Sequence, residues 1–341
     1  MINYDIQLKV AATQMEPVWY DADATITKMI GFIKEASENG AKLVAFGECL
    51  IPGYFFHVFT DNVFEGWMKH DLNLMKNSLE LDGPEMKRIM KAARDYSIYV
   101  VTGYVERDGG SRYMSEVIID DSGKILLNRR KFKPTHIERT ICGDGMGSDF
   151  KVAKTPIGII GTTECWEHTQ PLITYAMGAM NEQIHVSAWP GIHWVSDDYL
   201  MECCNSCLTF SRVYAMQTQT YTIVSSGVVG EAAKKFFCGD NPDKIALLNH
   251  GGGIAQIISP GGTYLCEPLP EDEEGIVYAD IDLNNILVTK SFLDPHGQYS
   301  RPDIFCLNIN KDPKPRTVVK NEVEGDLSVE AVNKSFEEEE E

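Results

Sequence analysis

The chain is constrained most by a recurring unit: a short apolar run that stops at a glycine-containing or polar turn, then a segment with apolar residues at helical spacing. Lys42-Leu43-Val44-Ala45-Phe46 stops at Gly47-Glu48-Cys49. Thr155-Pro156-Ile157-Gly158-Ile159-Ile160 leads through Gly161-Thr162-Thr163-Glu164 to Cys165. Ile184-His185-Val186-Ser187-Ala188-Trp189 ends at Pro190, and Tyr221-Thr222-Ile223-Val224-Ser225-Ser226 stops at Gly227. Runs this short, bounded by breakers, read as buried strands. Between them, residues 23–39 place Ile26, Met29, Ile30 and Ile33 on one helical face, with Asp23 as cap and Gly40 as stop. Residues 84–96 do the same with Met86, Ile89, Met90 and Ala93, and residues 197–219 read as a long helix. The alternation is broken in the middle, where residues 113–119 and 125–128 flank Asp120-Asp121-Ser122-Gly123, a hairpin signal. The pattern predicts an α/β protein with a mixed sheet, or two sheets, and helices outside. No repeat and no linker divides it.

Composition narrows the partners. A hydrophobic content of 43% supports a sizeable core. A net charge of −19 argues against a basic nucleic-acid surface and against attraction to anionic lipid. From Asn321 onward nine acidic residues stand against one lysine, Lys334. Residues 309–341 are therefore expected to be an acidic, disordered tail behind a domain of residues 1–308. The N-terminal stretch lacks a basic region followed by an apolar core, so no secretory signal is expected, and no apolar run is long enough for a bilayer. Nine irregularly spaced cysteines suggest reduced thiols and a cytoplasmic location.

Cys165 lies between a buried strand and the helical pattern that starts near Pro171. A thiol at a helix N-terminus is favoured as thiolate; the plain alternative is a buried structural cysteine. Glu48 and Lys131 also stand at strand ends. In α/β folds such ends meet in one crevice. A thiol needs a base to become a nucleophile, and a lysine stabilises the charge of a tetrahedral adduct. Taken singly, Glu48 reads as well as an exposed helix cap, and Lys131 as one charge of a basic loop.

The wording around these residues decides between the readings. It comprises Phe46-Gly47-Glu48 with Ile51-Pro52-Gly53-Tyr54; Arg129-Arg130-Lys131-Phe132-Lys133-Pro134-Thr135-His136-Ile137-Glu138-Arg139; Cys165-Trp166-Glu167-His168 with Gln170-Pro171-Leu172; His185-Val186-Ser187-Ala188-Trp189-Pro190; and Tyr299-Ser300-Arg301-Pro302-Asp303. In this order and spacing they resemble the nitrilase superfamily of carbon–nitrogen hydrolases, and its nitrilase branch, from the first strand to about Asp303. The resemblance implies a four-layer α-β-β-α sandwich and a catalytic set that falls on Glu48, Lys131 and Cys165. It adds Glu138 as a second glutamate and the Trp166 backbone amide as support. It implies no metal and no organic cofactor, a small-molecule nitrile as substrate, and a homodimer assembling into larger or spiral homo-oligomers. The implied reaction turns a nitrile into carboxylic acid and ammonia through a cysteine thioimidate and thioester. Alternatives on the same triad are cyanide hydration or dihydration and aliphatic amide hydrolysis; a non-catalytic, filament-forming interaction protein is a reading of another class.

Tyr54, His136, His168 and Trp189 are expected around the substrate pocket. Gly47 stands where the family commonly has proline and is expected to loosen the turn that aims Glu48. Glu164 directly before the nucleophile is unusual; strand alternation turns it away from the pocket. Cys203-Cys204-Asn205-Ser206-Cys207 holds a Cys-x-x-Cys but no second ligand pair for zinc; these cysteines are expected to pack on their helix at a dimer face. His57, His70, His250 and His296 read as surface or loop residues.

Overall fold

The computed structural model describes residues 2–192, 195–196 and 201–313, together with Val329, Asn333, Phe336 and Glu337. The strands are β1 (Gln7–Met15), β2 (Leu43–Ala45), β3 (Tyr99–Asp108), β4 (Ser111–Ile119), β5 (Ile125–Arg130), β6 (Ala153–Thr155), β7 (Gly158–Glu164), β8 (Ile184–Trp189), β9 (Val195–Ser196), β10 (Met201–Glu202), β11 (Tyr221–Gly227), β12 (Gln256–Ile258) and β13 (Gly275–Asp282). Eleven form one hydrogen-bonded path in the order β5-β4-β3-β2-β1-β11-β8-β7-β6, with β12 on β11 and β13 on β1.

The path is two sheets joined at a corner. β1 pairs with β11 only through Gln14 with Ser226 and Met15 with Gly227, at the last residues of both strands. Elsewhere the halves face each other across an apolar layer: Val10, Ala12, Val101 and Ile118 from one, Ile160, Ile184, Val186 and Ile223 from the other. The neighbouring positions Ala11, Val44, Val100 and Val117 point the opposite way, as strand alternation requires. They pack under Ile26, Met29 and Ile33 of helix Ala22–Glu38 and under Met86, Ile89 and Met90 of helix Pro84–Asp95. Helices Pro171–Ala179 and Cys203–Thr218 cover the second sheet. The layers run helix, sheet, sheet, helix, the expected sandwich.

Two local expectations change. Asp21, not Asp23, caps the first helix: its Oδ1 accepts the Ala24 N–H at 2.9 Å. Asp23 sits inside the first turn. The helix expected over 197–219 begins only at Cys203, because β9 and β10 pair as a short hairpin before it; residues 197–200 lie outside the described residues. Most of the expected acidic tail also lies outside them. Its described residues Val329, Asn333, Phe336 and Glu337 rest on the domain. Phe336 is buried in the layer under the first two helices, and Asn333 accepts from the Ile125 N–H at 2.9 Å and donates to the Ile125 carbonyl at 3.0 Å.

Candidate active site

The corner where the sheets join is where β2, β5 and β7 deliver Glu48, Lys131 and Cys165. Glu48 follows a turn pressed onto the second sheet, its N–H donating to the Trp189 carbonyl at 3.2 Å. Gly47 makes that approach possible: a Cβ there would lie 2.6 Å from Ser226 C, 2.7 Å from Gly227 N and 2.8 Å from Trp189 O. This glycine tightens the turn, contrary to the expected loosening. Lys131 continues the buried face of β5 (Ile125, Leu127, Arg129), and its N–H donates to the Met114 carbonyl at 2.8 Å.

Cys165 opens the 3₁₀ turn Cys165–Thr169 with φ +51°. This left-handed conformation costs a non-glycine residue about 1–3 kcal/mol and persists only where its surroundings hold it. The α-helix starts later, at Pro171, so the expected helix N-terminus is not at the sulfur. Burial first, then the Glu48 carboxylate, push the thiol well above its ordinary range, while Lys131 and the Trp166 N–H pull it down. The group rests as a thiol.

Glu48, Glu138 and Cys165 bring a carboxyl oxygen each and the sulfur within 4.8 Å of one another. This is the spacing of a metal site, but an ammonium already supplies the positive charge. Lys131 Nζ, with 0% side-chain exposure, donates to Glu48 Oε1 at 2.7 Å and to Glu138 Oε2 at 2.8 Å. Glu138 is fixed on its other side, where Tyr54 OH donates to Oε1 at 2.8 Å and the Thr135 N–H to Oε2 at 2.5 Å. Glu48 Oε2 has no hydrogen-bond partner among the described residues. Burial raises the Glu48 pKa to about 8 against the pull of Lys131. Burial lowers that of Lys131, but Glu138 and Glu48 more than offset it and hold the lysine charged.

A second buried ion pair locks the two loops together. Arg129 donates to Glu167 through both terminal nitrogens, at 2.7 and 2.6 Å. Glu167 also accepts the Phe132 N–H, beside Lys131, and the Glu164 N–H, beside Cys165, each at 2.7 Å. Glu164 is fully buried, and neither of its carboxyl oxygens has a hydrogen-bond partner among the described residues. Burial, then Glu116 and Glu48, push its pKa far up, which keeps it a neutral acid.

Behind Cys165 runs a neutral polar chain. His168 Nδ1 bonds the Cys165 carbonyl at 2.7 Å, His168 Nε2 lies 3.0 Å from His185 Nε2, and His185 Nδ1 bonds Glu182 at 2.8 Å. Tyr214 OH donates to the other Glu182 oxygen at 2.6 Å. Burial, then His185, lower the His168 pKa to about 3. His168 therefore braces the turn that carries Cys165. On the sulfur's side lies a cavity of about 10 Å³, lined by Cys165, Trp166, Trp189, Cys203, Cys204 and Cys207 among others; that is the room of one water.

Of the expected pocket residues, Trp189 lines this cavity together with Trp166, Tyr54 anchors Glu138, His168 lies behind Cys165 on its carbonyl, and His136 is exposed at the head of the turn that carries Glu138. His57 and His70 are not surface residues: they are buried and stacked, with His57 bonded to Tyr20 OH at 2.7 Å. Sequence reasoning missed Arg129, although alternation from Ile125 through Leu127 puts it on the face of Lys131. Glu167 lies in the Cys165-Trp166-Glu167-His168 motif, but nothing in that wording marks it as the partner of Arg129. Nothing local marks Glu182 as a partner of His185 and Tyr214.

The Carbon-nitrogen hydrolase family matches residues 9–290. An aliphatic nitrilase of Rhodococcus rhodochrous is 46% identical over 311 residues, covering 91% of this chain and 85% of the relative. An arylacetonitrilase of Aspergillus kawachii (strain NBRC 4308) is 42% identical over 317 residues, covering 90% and 93%. The crystal structure of a carbon-nitrogen hydrolase from Helicobacter pylori superposes with a TM-score of 0.70 at 18% identity, covering 89% of this chain and 98% of that one. With its α-β-β-α architecture and this match over most of its length, the chain belongs to the carbon–nitrogen hydrolase family.

Proposed function

We propose that the protein is a nitrilase, hydrolysing an organic nitrile to the carboxylic acid and ammonia. Similarity to curated nitrilases over most of the chain supports the substrate class. The observation that carries the mechanism is a Glu48 carboxyl group with an unpaired Oε2 and an oxygen within 4.8 Å of the buried Cys165 sulfur. Glu48 Oε2 takes the Cys165 proton, and the sulfur attacks the nitrile carbon. The nitrile nitrogen takes a proton and a thioimidate forms. Water, deprotonated by Glu48, adds to that carbon. Lys131 has three N–H donors and spends two on Glu48 and Glu138; the third, with the Trp166 N–H, faces the charge of the tetrahedral adduct. Ammonia leaves, a thioester remains, and a second water releases the acid and restores the thiol. No step needs a metal or an organic cofactor. Glu138, tied to Tyr54, holds Lys131 in place.

Ammonia release from a panel of aliphatic nitriles, arylacetonitriles, cyanide and amides tests this reading. Turnover of nitriles is expected; ammonia from amides alone would overturn it.

We further infer a homodimer that extends into larger or spiral assemblies in a reducing cytoplasm. No disulfide links cysteines among the described residues, and none of the described helices is long and apolar enough to cross a membrane. Leu172 and Tyr175 on one outer helix and Val213 and Met216 on the next expose apolar side chains. Sedimentation of wild type and Met216→Glu tests the assembly: a monomeric wild type would refute it, and a smaller Met216→Glu species is expected. The domain then comprises residues 1–308 and the tail residues 309–341.

A further inference from the structure

Three cysteines outside the proposed catalytic set line the cavity that Cys165 lines. Cys203, Cys204 and Cys207 share the small cavity of Cys165 and belong to the same buried apolar cluster. The close pair is Cys203 with Cys207, one helical turn apart, at an Sγ–Sγ distance of 3.8 Å. The Cys204–Cys207 spacing that attracts attention in the sequence is a different pair. Cys203 is the first residue of the 16-residue helix Cys203–Thr218. A hydrogen bond from Cys207 lowers the Cys203 pKa against the effect of burial, the reverse of what happens to Cys165. The hydrogen bond to Cys203 and burial raise the Cys207 pKa, and an ionised Cys165 would raise it further. Closing 3.8 Å to the roughly 2 Å of a disulfide requires only the first turn of the helix to give, and first turns have few backbone bonds to lose.

We propose that Cys203 and Cys207 form a redox dithiol that takes over oxidation of Cys165 and returns the nucleophile to its thiol form. The proposal rests on Cys165 being the nucleophile. Its oxidant is a hydroperoxide. The Cys165 sulfur attacks the O–O bond; an S–O bond forms, and the alcohol or water leaves with a proton. Cys207, its proton taken by Cys203, attacks the Cys165 sulfenic acid; an S–S bond forms, the S–O bond breaks, and hydroxide leaves as water with that proton. The Cys203 thiolate then attacks the Cys207 sulfur, and Cys165 departs as thiolate. In sum, one hydroperoxide and two thiols give one alcohol (or water), one water and one disulfide. Without the dithiol, a sulfenic acid in contact with oxidant proceeds to the irreversible sulfinic acid.

The test treats the full-length protein with one equivalent of hydrogen peroxide per chain. It reads ammonia release relative to each untreated variant, thiols titrated in denaturant, and peptides mapped without reduction. Cleavage at Glu164, Glu167, Glu182 and Glu202 separates Cys165 from the Cys203–Cys207 segment. Wild type is expected to lose two thiols, keep its rate, and yield a Cys203–Cys207 peptide lighter by two hydrogens. Cys203→Ser is expected to stop at a Cys165–Cys207 disulfide, inactive until dithiothreitol is added. Cys207→Ser is expected to lose activity that dithiothreitol does not restore after further oxidation. A wild type that loses its rate while Cys203 and Cys207 stay reduced would overturn the proposal, as would a Cys203→Ser protein without the cross-linked peptide. Failure of the nucleophile reading is seen separately, as ammonia release by untreated Cys165→Ala at the wild-type rate.

Discussion

Two buried cations stand two residues apart on one strand face, and their surroundings treat them differently. Arg129 meets Glu167 with a planar fork, two bonds to two oxygens, and the remaining capacity of that carboxylate is filled by backbone N–H groups of both active-site loops. Lys131 is a point charge divided between Glu48 and Glu138, and it leaves Oε2 unpaired in a Glu48 carboxyl group that has an oxygen within 4.8 Å of the Cys165 sulfur. The carboxyl groups respond in opposite directions. Burial would raise Glu167, but Arg129 and the backbone donors hold it below its ordinary value. Glu48 is raised to about 8 because burial outweighs Lys131. A carboxylate satisfied at every oxygen holds position; one left partly unsatisfied beside a charge is ready to accept a proton. The guanidinium serves the first task and the ammonium the second.

The largest effect should come from removing the proposed nucleophile. Cys165→Ala is expected to abolish ammonia release from nitriles with no loss of thermal stability; residual release near the wild-type rate would place the chemistry elsewhere. Lys131→Met should follow, with kcat down by about 10²–10³ for one lost stabiliser of the tetrahedral adduct, measured at saturating nitrile. Glu167→Gln should strike the other cluster, leaving Arg129 buried against a neutral partner. The expected cost is about 3–5 kcal/mol of unfolding free energy, read by urea denaturation, with a much smaller change in kcat at permissive temperature. If kcat fell as far as for Lys131→Met while stability held, the division between a positioning pair and a reacting pair would be wrong.

The smallest effect sharpens the same contrast through pH. The Glu48 carboxyl has a pKa of about 8 in the folded chain, against 4.5 for a solvated glutamate, and its ionised fraction is the base that the proposed mechanism uses. The native state therefore binds more protons between roughly pH 4.5 and 8, and this group's contribution to stability is lost as pH rises through that window. Glu182, raised to about 8 by burial, acts in the same sense. Glu167 acts in the opposite sense: its pKa is lowered, so its contribution is present above the unfolded value and lost as pH falls through the folded one. Unfolding free energy against pH should lose part of its alkaline decline in Glu182→Gln and part of its acid decline in Glu167→Gln. The same sign of change in both would contradict the assignment.

The fold was legible in the sequence because its strands are short, apolar and bounded by breakers, and its helices carry one apolar face. The strand-end positions of Glu48, Lys131 and Cys165 were legible for the same reason. Gly47 was misread because its need is for space against Ser226 and Trp189, residues far away in the chain. The helix-dipole argument for Cys165 failed because a 3₁₀ turn separates it from the helix. His57 and His70 read as surface residues because their partners Asp61, Asp71 and Tyr20 meet only in three dimensions. Long-range pairing of polar groups leaves little trace in local periodicity.

The central claim is that the unpaired oxygen of Glu48 takes the Cys165 proton. Ammonia release by Glu48→Gln, which keeps the shape and the bond to Lys131 but cannot act as a base, tests it directly. The account predicts a loss of about 10²–10⁴-fold in a protein that melts like wild type; a rate close to wild type would contradict it.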